Sequence, residues 1–311
     1  MSNLQKPIFL DETKAREWLE ARVWPHGPHC PHCGNADQDK ITALQGKAHR
    51  PGLYQCAECR EQFTVTVGTV FERSKIPLSK WLAALFLMTA SKKGVSAHQV
   101  HRMLGISYKS TWFMMHRLRE AMRPTSLTPL GGKGKTVEVD ETYIGRLKDV
   151  PKQRGGAHKN IVMTLVERGG SARSFHIDST TLNEVTKIVR ENVKAETIVN
   201  TDEGTWYKQL GAHFLSHDTV NHSREEYVRD DISTNTVEGY YSIFKRGMKG
   251  VYQHCAEKHL RRYLAEFDFR YSNRTALGVD DASRAGLLAH GIKGKRLTYR
   301  RPNRKNQAAP F

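Results

Sequence analysis

The sequence predicts a mixed α/β protein, a sheet layered with helices, preceded by two smaller modules. Three observations predict it. Four cysteines form two Cys-x-x-Cys pairs near the N-terminus, residues 77–122 have helical periodicity, and beyond residue 136 apolar strands give way to alternating strand and helix. A length of 311 residues with 38% hydrophobic and 9% aromatic content suits two or three domains with real cores.

Lys and Arg outnumber Asp and Glu by 49 to 32, a formal charge of +17. That surplus points to a polyanionic partner, nucleic acid first, because released counterions favour binding. The opening "MSNLQKPIFLDETKAREWLEAR" has no continuous apolar stretch and does not read as a secretory signal. The most apolar window, 81–90, is about half of the roughly 20 residues a bilayer requires and is flanked by Lys80, Lys92 and Lys93. The expectation is a soluble intracellular chain with no membrane partner.

An amphipathic helix is expected over 11–23, capped by Asp11 or Thr13, with Trp18, Leu19 and Val23 inward. "CPHCGNADQDKITALQGKAHRPGLYQCAECREQF" follows, a Cys-x2-Cys-x22-Cys-x2-Cys pattern through Cys30, Cys33, Cys56 and Cys59. Two thiolates on each tight turn fill four corners of a tetrahedron, the pattern of a structural Zn²⁺ site. His26, His29 and His32 crowd the first pair but are not needed as ligands, and Cys255, beside His254, reads as packing.

Helices are expected near 78–91, 96–105 (Val100, Met103 and Leu104 inward) and 106–122, the last capped by Ser107. The short "LGIS" turn between the second and third is a helix-turn-helix signature. It would place Lys109, Ser110 and Thr111 against a DNA groove at the start of a recognition helix. "PTSLTPLGGKGK" (124–135) reads as a linker.

Strands follow at 136–145, 159–168 and 171–178, then a helix at 182–193, a strand at 197–204, and helices at 235–247 and 256–273. The resulting division is an N-terminal helix (1–24), a zinc ribbon (25–76), a helical DNA-binding domain (77–123), the linker, an α/β domain (136–275) and a basic tail (276–311). The tail's seven basic residues between Lys293 and Lys305 suit DNA-backbone contacts.

Asp140 lies amid apolar residues in "VEVDETYIG", where a carboxylate is costly to bury without a task or partner. Asp202 follows the apolar run of "IVNTDEG", at the strand end where α/β sites form. In "NTVEGYYSIFKRG", Asn235, Glu238, Ser242 and Lys245 share one helical face. Asp, 61 residues, Asp, 35 residues, Glu, then Lys seven positions later describes a two-metal site: clustered carboxylates repel unless hard cations such as Mg²⁺ or Mn²⁺ neutralise them. Glu141 and Glu203 are expected to support the site. Trp206 reads as a packing residue with base stacking as the alternative, and His217, His222 and Arg224 as loop residues able to approach DNA.

The order of zinc ribbon, helix-turn-helix, "VDETY", "NTDEG" and "NTVEGYYSIFKRG" resembles the DDE transposases of the bacterial insertion sequences, specifically the 1595 family, over about residues 20–273. The resemblance implies a ribonuclease-H-like mixed sheet with flanking helices. It implies that Asp140, Asp202 and Glu238 hold two Mg²⁺ or Mn²⁺ ions and that Lys245 contacts DNA phosphate, with the neighbouring Arg246 assigned to the same DNA surface. Some members carry Asn at the third position, so Asn235 is the alternative to Glu238. It further implies double-stranded transposon ends and target DNA as partners, 3′-hydroxyl joining as the reaction, a homo-oligomer on DNA, and a cytoplasmic, nucleoid-associated location. Two other readings are a catalytically silent, transposase-derived DNA-binding protein and a nuclease on the same fold.

Overall fold

The computed structural model describes residues 3–154, 156–221 and 228–298. The chain divides into two compact units. One comprises residues 1–88, 97–122 and 285–311, and the other 89–96 and 123–284.

In the first unit, helix α1 (Glu12–Val23) starts where Asp11 accepts the Lys14 amide at 2.9 Å, and it buries Ala15, Leu19 and Val23. Strands β1 (Ile41–Leu44), β2 (Leu53–Cys56) and β3 (Gln62–Phe63) form an antiparallel three-stranded sheet. Its small core is aromatic: Trp24 stands edge-on to Tyr54 and Phe63, with centroids 5.3 and 5.8 Å away. So thin a core calls for a further tie. The four cysteine sulfurs meet within 4.8 Å of one another, and the Cys30–Cys59 and Cys33–Cys56 sulfurs are 3.5 and 3.8 Å apart. Tetrahedral zinc with bonds of about 2.3 Å would set its sulfurs roughly 3.8 Å apart, so the donor set fits that ion. The backbone N–H of Cys59 brings the Cys56 thiol down to about 6, whereas burial and the neighbouring thiols raise Cys59 and Cys33. His26 and His32 are exposed, and His29 packs edge-on against Trp24.

Helices α2 (Leu78–Ala90), α3 (Ala97–Leu104) and α4 (Tyr108–Met122) follow. Gly105, at φ +60°, ends α3 with its amide on the His101 carbonyl at 3.0 Å, a left-handed stop that favours glycine. Ser107 caps α4 by accepting the Ser110 amide at 3.3 Å, the cap that the sequence predicts. Lys109 and Ser110 are exposed. Thr111 corrects the sequence reading: it is fully buried and donates to the Ser107 carbonyl at 3.0 Å, so it does not line a groove. As a β-branched residue one turn into the helix, it satisfies its hydroxyl on the preceding turn. Met103, expected inward, is 48% exposed.

Residues read as a basic tail also differ. Helix α8 (Asp281–His290) forms there, and Ala285, Leu288, Ala289 and Ile292 are buried. Their i, i+3, i+4, i+7 spacing is an amphipathic signal that the basic count obscured. Residues 299–311, most of the basic run, lie outside the described residues.

The second unit is built on a five-stranded sheet of β4 (Thr136–Ile144), β5 (Asn160–Glu167), β6 (Ala172–Ile177), β7 (Ile198–Thr201) and β8 (Ser216–Thr219), in the order β6-β5-β4-β7-β8. The first three are antiparallel, and β7 and β8 run parallel to β4. With its flanking helices this is the ribonuclease-H-like arrangement.

Period-two alternation in β4 assigns each residue a face. Val137 and Val139 join Met163, Leu165 and helix α5 (Leu182–Asn192) in one core. Ile144, Val162 and Val166 face helices α6 (Asn235–Gly247) and α7 (Glu257–Ser272) in the other. Residues read as linker belong here too: Leu130 is buried and bridges Val193, with its amide on the Asn192 carbonyl at 2.8 Å. Gly131, at φ +78°, lets the chain pass Thr197, whose Oγ1 a Cβ would meet at 2.3 Å. A short hairpin, β9 (Val228–Arg229) and β10 (Ile232–Ser233), leads into α6, and a π-helical turn at Met248–Tyr252 ends it.

Two predictions follow from this packing. Elemental analysis should find one zinc per chain in the wild type; Cys30→Ser should lose it and expose residues 25–63 to protease, leaving the 136–272 fragment protected. Leu165→Ala, which empties a fully buried position, should lower stability by about 2–5 kcal/mol in denaturant titration.

Candidate active site

The β4–β7 ladder pairs Thr136, Val137 and Glu138 with Ile198, Val199 and Asn200, and ends there. Asp140 and Asp202 are each two residues further along, so parallel pairing delivers both carboxylates to one sheet edge. The carboxylate oxygens of Asp140, Glu141 and Asp202 lie within 4.8 Å of one another. Asp140 Oδ1 accepts the Glu141 amide at 2.7 Å, and Asp202 Oδ1 accepts the Gly204 amide at 3.0 Å.

Glu141 points to the α5 face, opposite Asp140, as alternation requires. Its Oε2 accepts from Tyr207 Oη at 2.6 Å and from Trp206 Nε1 at 3.2 Å. Trp206 therefore packs on the core, as expected, and Tyr207 beside it is fully buried.

Crowding and burial set the electrostatics. Burial, followed by the negative charges of Glu141, Asp202 and Glu238, raises the Asp140 carboxyl to about 8. Glu141 is raised as well, by burial and then by Asp202, against the hydrogen bond from Tyr207. Three clustered oxygen donors, two of them with suppressed ionisation, suit a hard divalent cation, whose charge would offset their repulsion.

Helix α6 approaches from the other side. Glu238 is exposed and accepts from Thr234 Oγ1 at 3.1 Å. It lies outside the three-acid cluster, close enough for its charge to act on Asp140. Asn235, the first residue of α6, is also exposed. Lys245 is half-buried, with Nζ 5.6 Å from the centre of the Tyr241 ring. Arg246 folds back on its own helix, with Nε donating to the Ser242 carbonyl at 3.2 Å.

Two of the anchors that hold α6 on the sheet flank Glu238. The Tyr241 hydroxyl contacts the Asp140 and Val162 carbonyls at 2.7 and 3.0 Å. The other anchor is Glu138, completely buried, which accepts the amides of Thr236 and Val237 at 2.7 and 3.0 Å.

Sequence reading gave Glu141 a supporting part and missed Glu138, Arg168 and Tyr207. The available signal was "VEVDE", three acids within four residues of an otherwise apolar strand. His217 belongs to β8, half-buried, with Nε2 2.9 Å from Thr201 Oγ1. Glu203 is exposed in the turn, Cys255 packs against the α6–α7 core, and His222 and Arg224 lie outside the described residues.

Residues 129–272 match an ISXO2-like transposase domain, and residues 10–62 match a transposase zinc-ribbon domain. An uncharacterized protein in transposable element ISH50 of Halobacterium salinarum is 27% identical over 237 residues, 70% of this chain and 77% of that protein. An uncharacterized transposase-like protein of Haemophilus influenzae is 27% identical over 107 residues, 34% of this chain and 81% of its own. A chain from an intasome of simian T-cell lymphotropic virus, solved in complex with a PP2A regulatory subunit, is 14% identical with a TM-score of 0.29, covering 54% of this chain and 63% of that one, too distant to carry an argument. With both of its characteristic domains matched in order, the chain belongs to the 1595 family of insertion-sequence DDE transposases.

Proposed function

We propose that this chain binds transposon ends, cleaves them and joins the freed 3′-hydroxyl to target DNA. The observation that carries this reading is the meeting of Asp140 and Asp202 at one edge of two parallel strands, with burial and mutual repulsion raising the Asp140 carboxyl to about 8. Such a pair, in a family of transposases, is suited to holding divalent cations against DNA phosphate. Mg²⁺ or Mn²⁺ bound there would supply charge stabilisation to in-line phosphoryl transfer.

The protein's own groups have distinct tasks in this reading. Asp140 and Asp202 would hold the metal. Glu141 orients its free oxygen toward them because Trp206 and Tyr207 occupy the other. Glu238 is the third ligand from α6. The anchors at residues 236, 237 and 241 bracket it alongside Asp140, whereas Asn235 precedes them. Lys245, on the same helical face, meets the phosphate beside the scissile bond, and Arg246 extends that contact.

Lys109 and Ser110, exposed at the start of α4, contact the transposon end. No helix among the described residues is long and apolar enough to cross a membrane. The chain would act at the nucleoid, as an oligomer pairing two ends.

Strand transfer by a pre-cleaved end oligonucleotide in Mn²⁺ tests the assignment. Asp140→Ala and Asp202→Ala should each reduce joining by about 10³-fold or more. Glu238→Ala should do the same; loss with Asn235→Ala alone would transfer the role of third ligand to Asn235. Tight end binding without joining by wild type returns the silent DNA-binding reading.

The pH dependence has a definite sign. An acid raised from 3.8 to about 8 in the fold holds a proton there that the unfolded chain has released. Metal-free stability should therefore fall as pH rises from about 4 to 8. Mn²⁺ affinity should rise over the same range, by up to about tenfold per unit well below pH 8, levelling off as pH passes 8. Calorimetric titrations of wild type and Asp140→Asn at several pH values check this, and the variant should lose the slope.

A further inference from the structure

We infer that Glu138 is a positioning residue for the metal site, setting where α6 presents Glu238. This rests on the catalytic assignment proposed above. Glu138 lies two residues before Asp140 on the same face of β4 and has no exposed surface. Its Oε1 accepts from Arg168 Nε at 2.6 Å and Thr236 Oγ1 at 2.9 Å. Its Oε2 accepts from the Thr236 amide at 2.7 Å and the Val237 amide at 3.0 Å. Four donors thus occupy both oxygens, and two of them are amides of the first turn of α6, which has no intrahelical acceptor for them.

A helix could be capped more simply. Among side chains at helix starts, Ser, Thr, Asp and Asn from the helix's own flank are the common solution. Here the acceptor comes from a strand 98 residues earlier in sequence. It therefore fixes the helix to the sheet rather than only closing its end.

Arg168 extends the same contact. Its guanidinium donates to the Ser233 carbonyl and hydroxyl at 3.1 and 2.8 Å and to the Asp231 carbonyl at 2.7 Å. The segment that enters α6 is thereby tied to the same carboxylate. Tyr241 supplies the second fixed point, on the carbonyl of Asp140 itself. Glu238 lies between the two. A helix held at residues 236–237 and again at 241 has little freedom to slide or rotate the carboxylate at 238.

Glu138→Gln distinguishes positioning from simple stability. The amide keeps the volume but, in either orientation, turns an NH₂ toward two donors. Hydrogen exchange at the Thr236 and Val237 amides should accelerate by about tenfold or more, with β5 amides unchanged. Mn²⁺ affinity, measured by paramagnetic resonance without DNA, should weaken by about 10–100-fold, as for other residues that orient ligands. Turnover in strand transfer should fall by about 100-fold, with end-DNA affinity within twofold of wild type. Arg168→Lys, which keeps the charge but loses the fork, should move the same readouts in the same direction by less.

Faster exchange with unchanged Mn²⁺ affinity and turnover would reduce Glu138 to a cap and overturn the inference. So would wild-type values throughout. If Glu138→Gln does not fold, Thr236→Val decides: it deletes only the hydroxyl donor and should lower turnover and Mn²⁺ affinity together while leaving DNA binding intact. An effect on DNA binding alone, or none, overturns the inference. Exchange and Mn²⁺ binding require no substrate, so they separate this result from a failure of the transposase reading, in which wild type itself would join no DNA.

Discussion

Carboxylates crowded into one place repel one another, and burial worsens the conflict. Asp140, Glu141 and Asp202 meet under these conditions, and burial first, then the neighbouring charges, raise the Asp140 carboxyl. Flexible loops would relieve the strain by letting the acids drift apart. The protein instead seats Asp140 and Glu141 on a strand paired on both sides and places Asp202 directly after its parallel neighbour. Hydrogen-bonded neighbours on two faces then hold what electrostatics would disperse. The hydrophobic layers under α5 and α6 keep that sheet in place, so the apolar cores and the charged site form one design.

The two units solve the stability problem differently. The sheet unit has two apolar layers large enough to fold around. The ribbon has a few aromatic contacts and four cysteines, and its cysteine geometry stands in for the core it lacks.

Much of this was legible in the sequence because its signals were periodic or dense. The helix at 235–247 matches the reading residue for residue, since apolar spacing and the Asn–Glu–Lys face agreed. The strand carrying Asp140 and the one that ends just before Asp202 were legible from their apolar runs and turn residues. Thr111 was misread because a pattern of turn and helix locates an element more readily than it reports which side of its first turn is covered. Helix α8 was hidden by the surrounding basic residues. β8 was missed because "SHDT" has little strand character of its own and forms as an edge pairing to β7. Glu138 and Tyr207 were illegible for a stronger reason. Their partners are 98 and 66 residues away, and nothing local in the sequence marks such a contact.

That separation has a consequence for how the molecule comes into being. The sheet can begin with β4, β5 and β6, which adjoin in sequence and pair as antiparallel neighbours. The parallel strand β7 comes next, after the α5 crossover, and α6 later still. Closing loops of this length costs entropy before any contact repays it, so the long-range pairings form late. The two aspartates would therefore approach each other before the helix that completes their surroundings is docked. During that interval a growing chain owns an acidic edge without the helix that is to flank it.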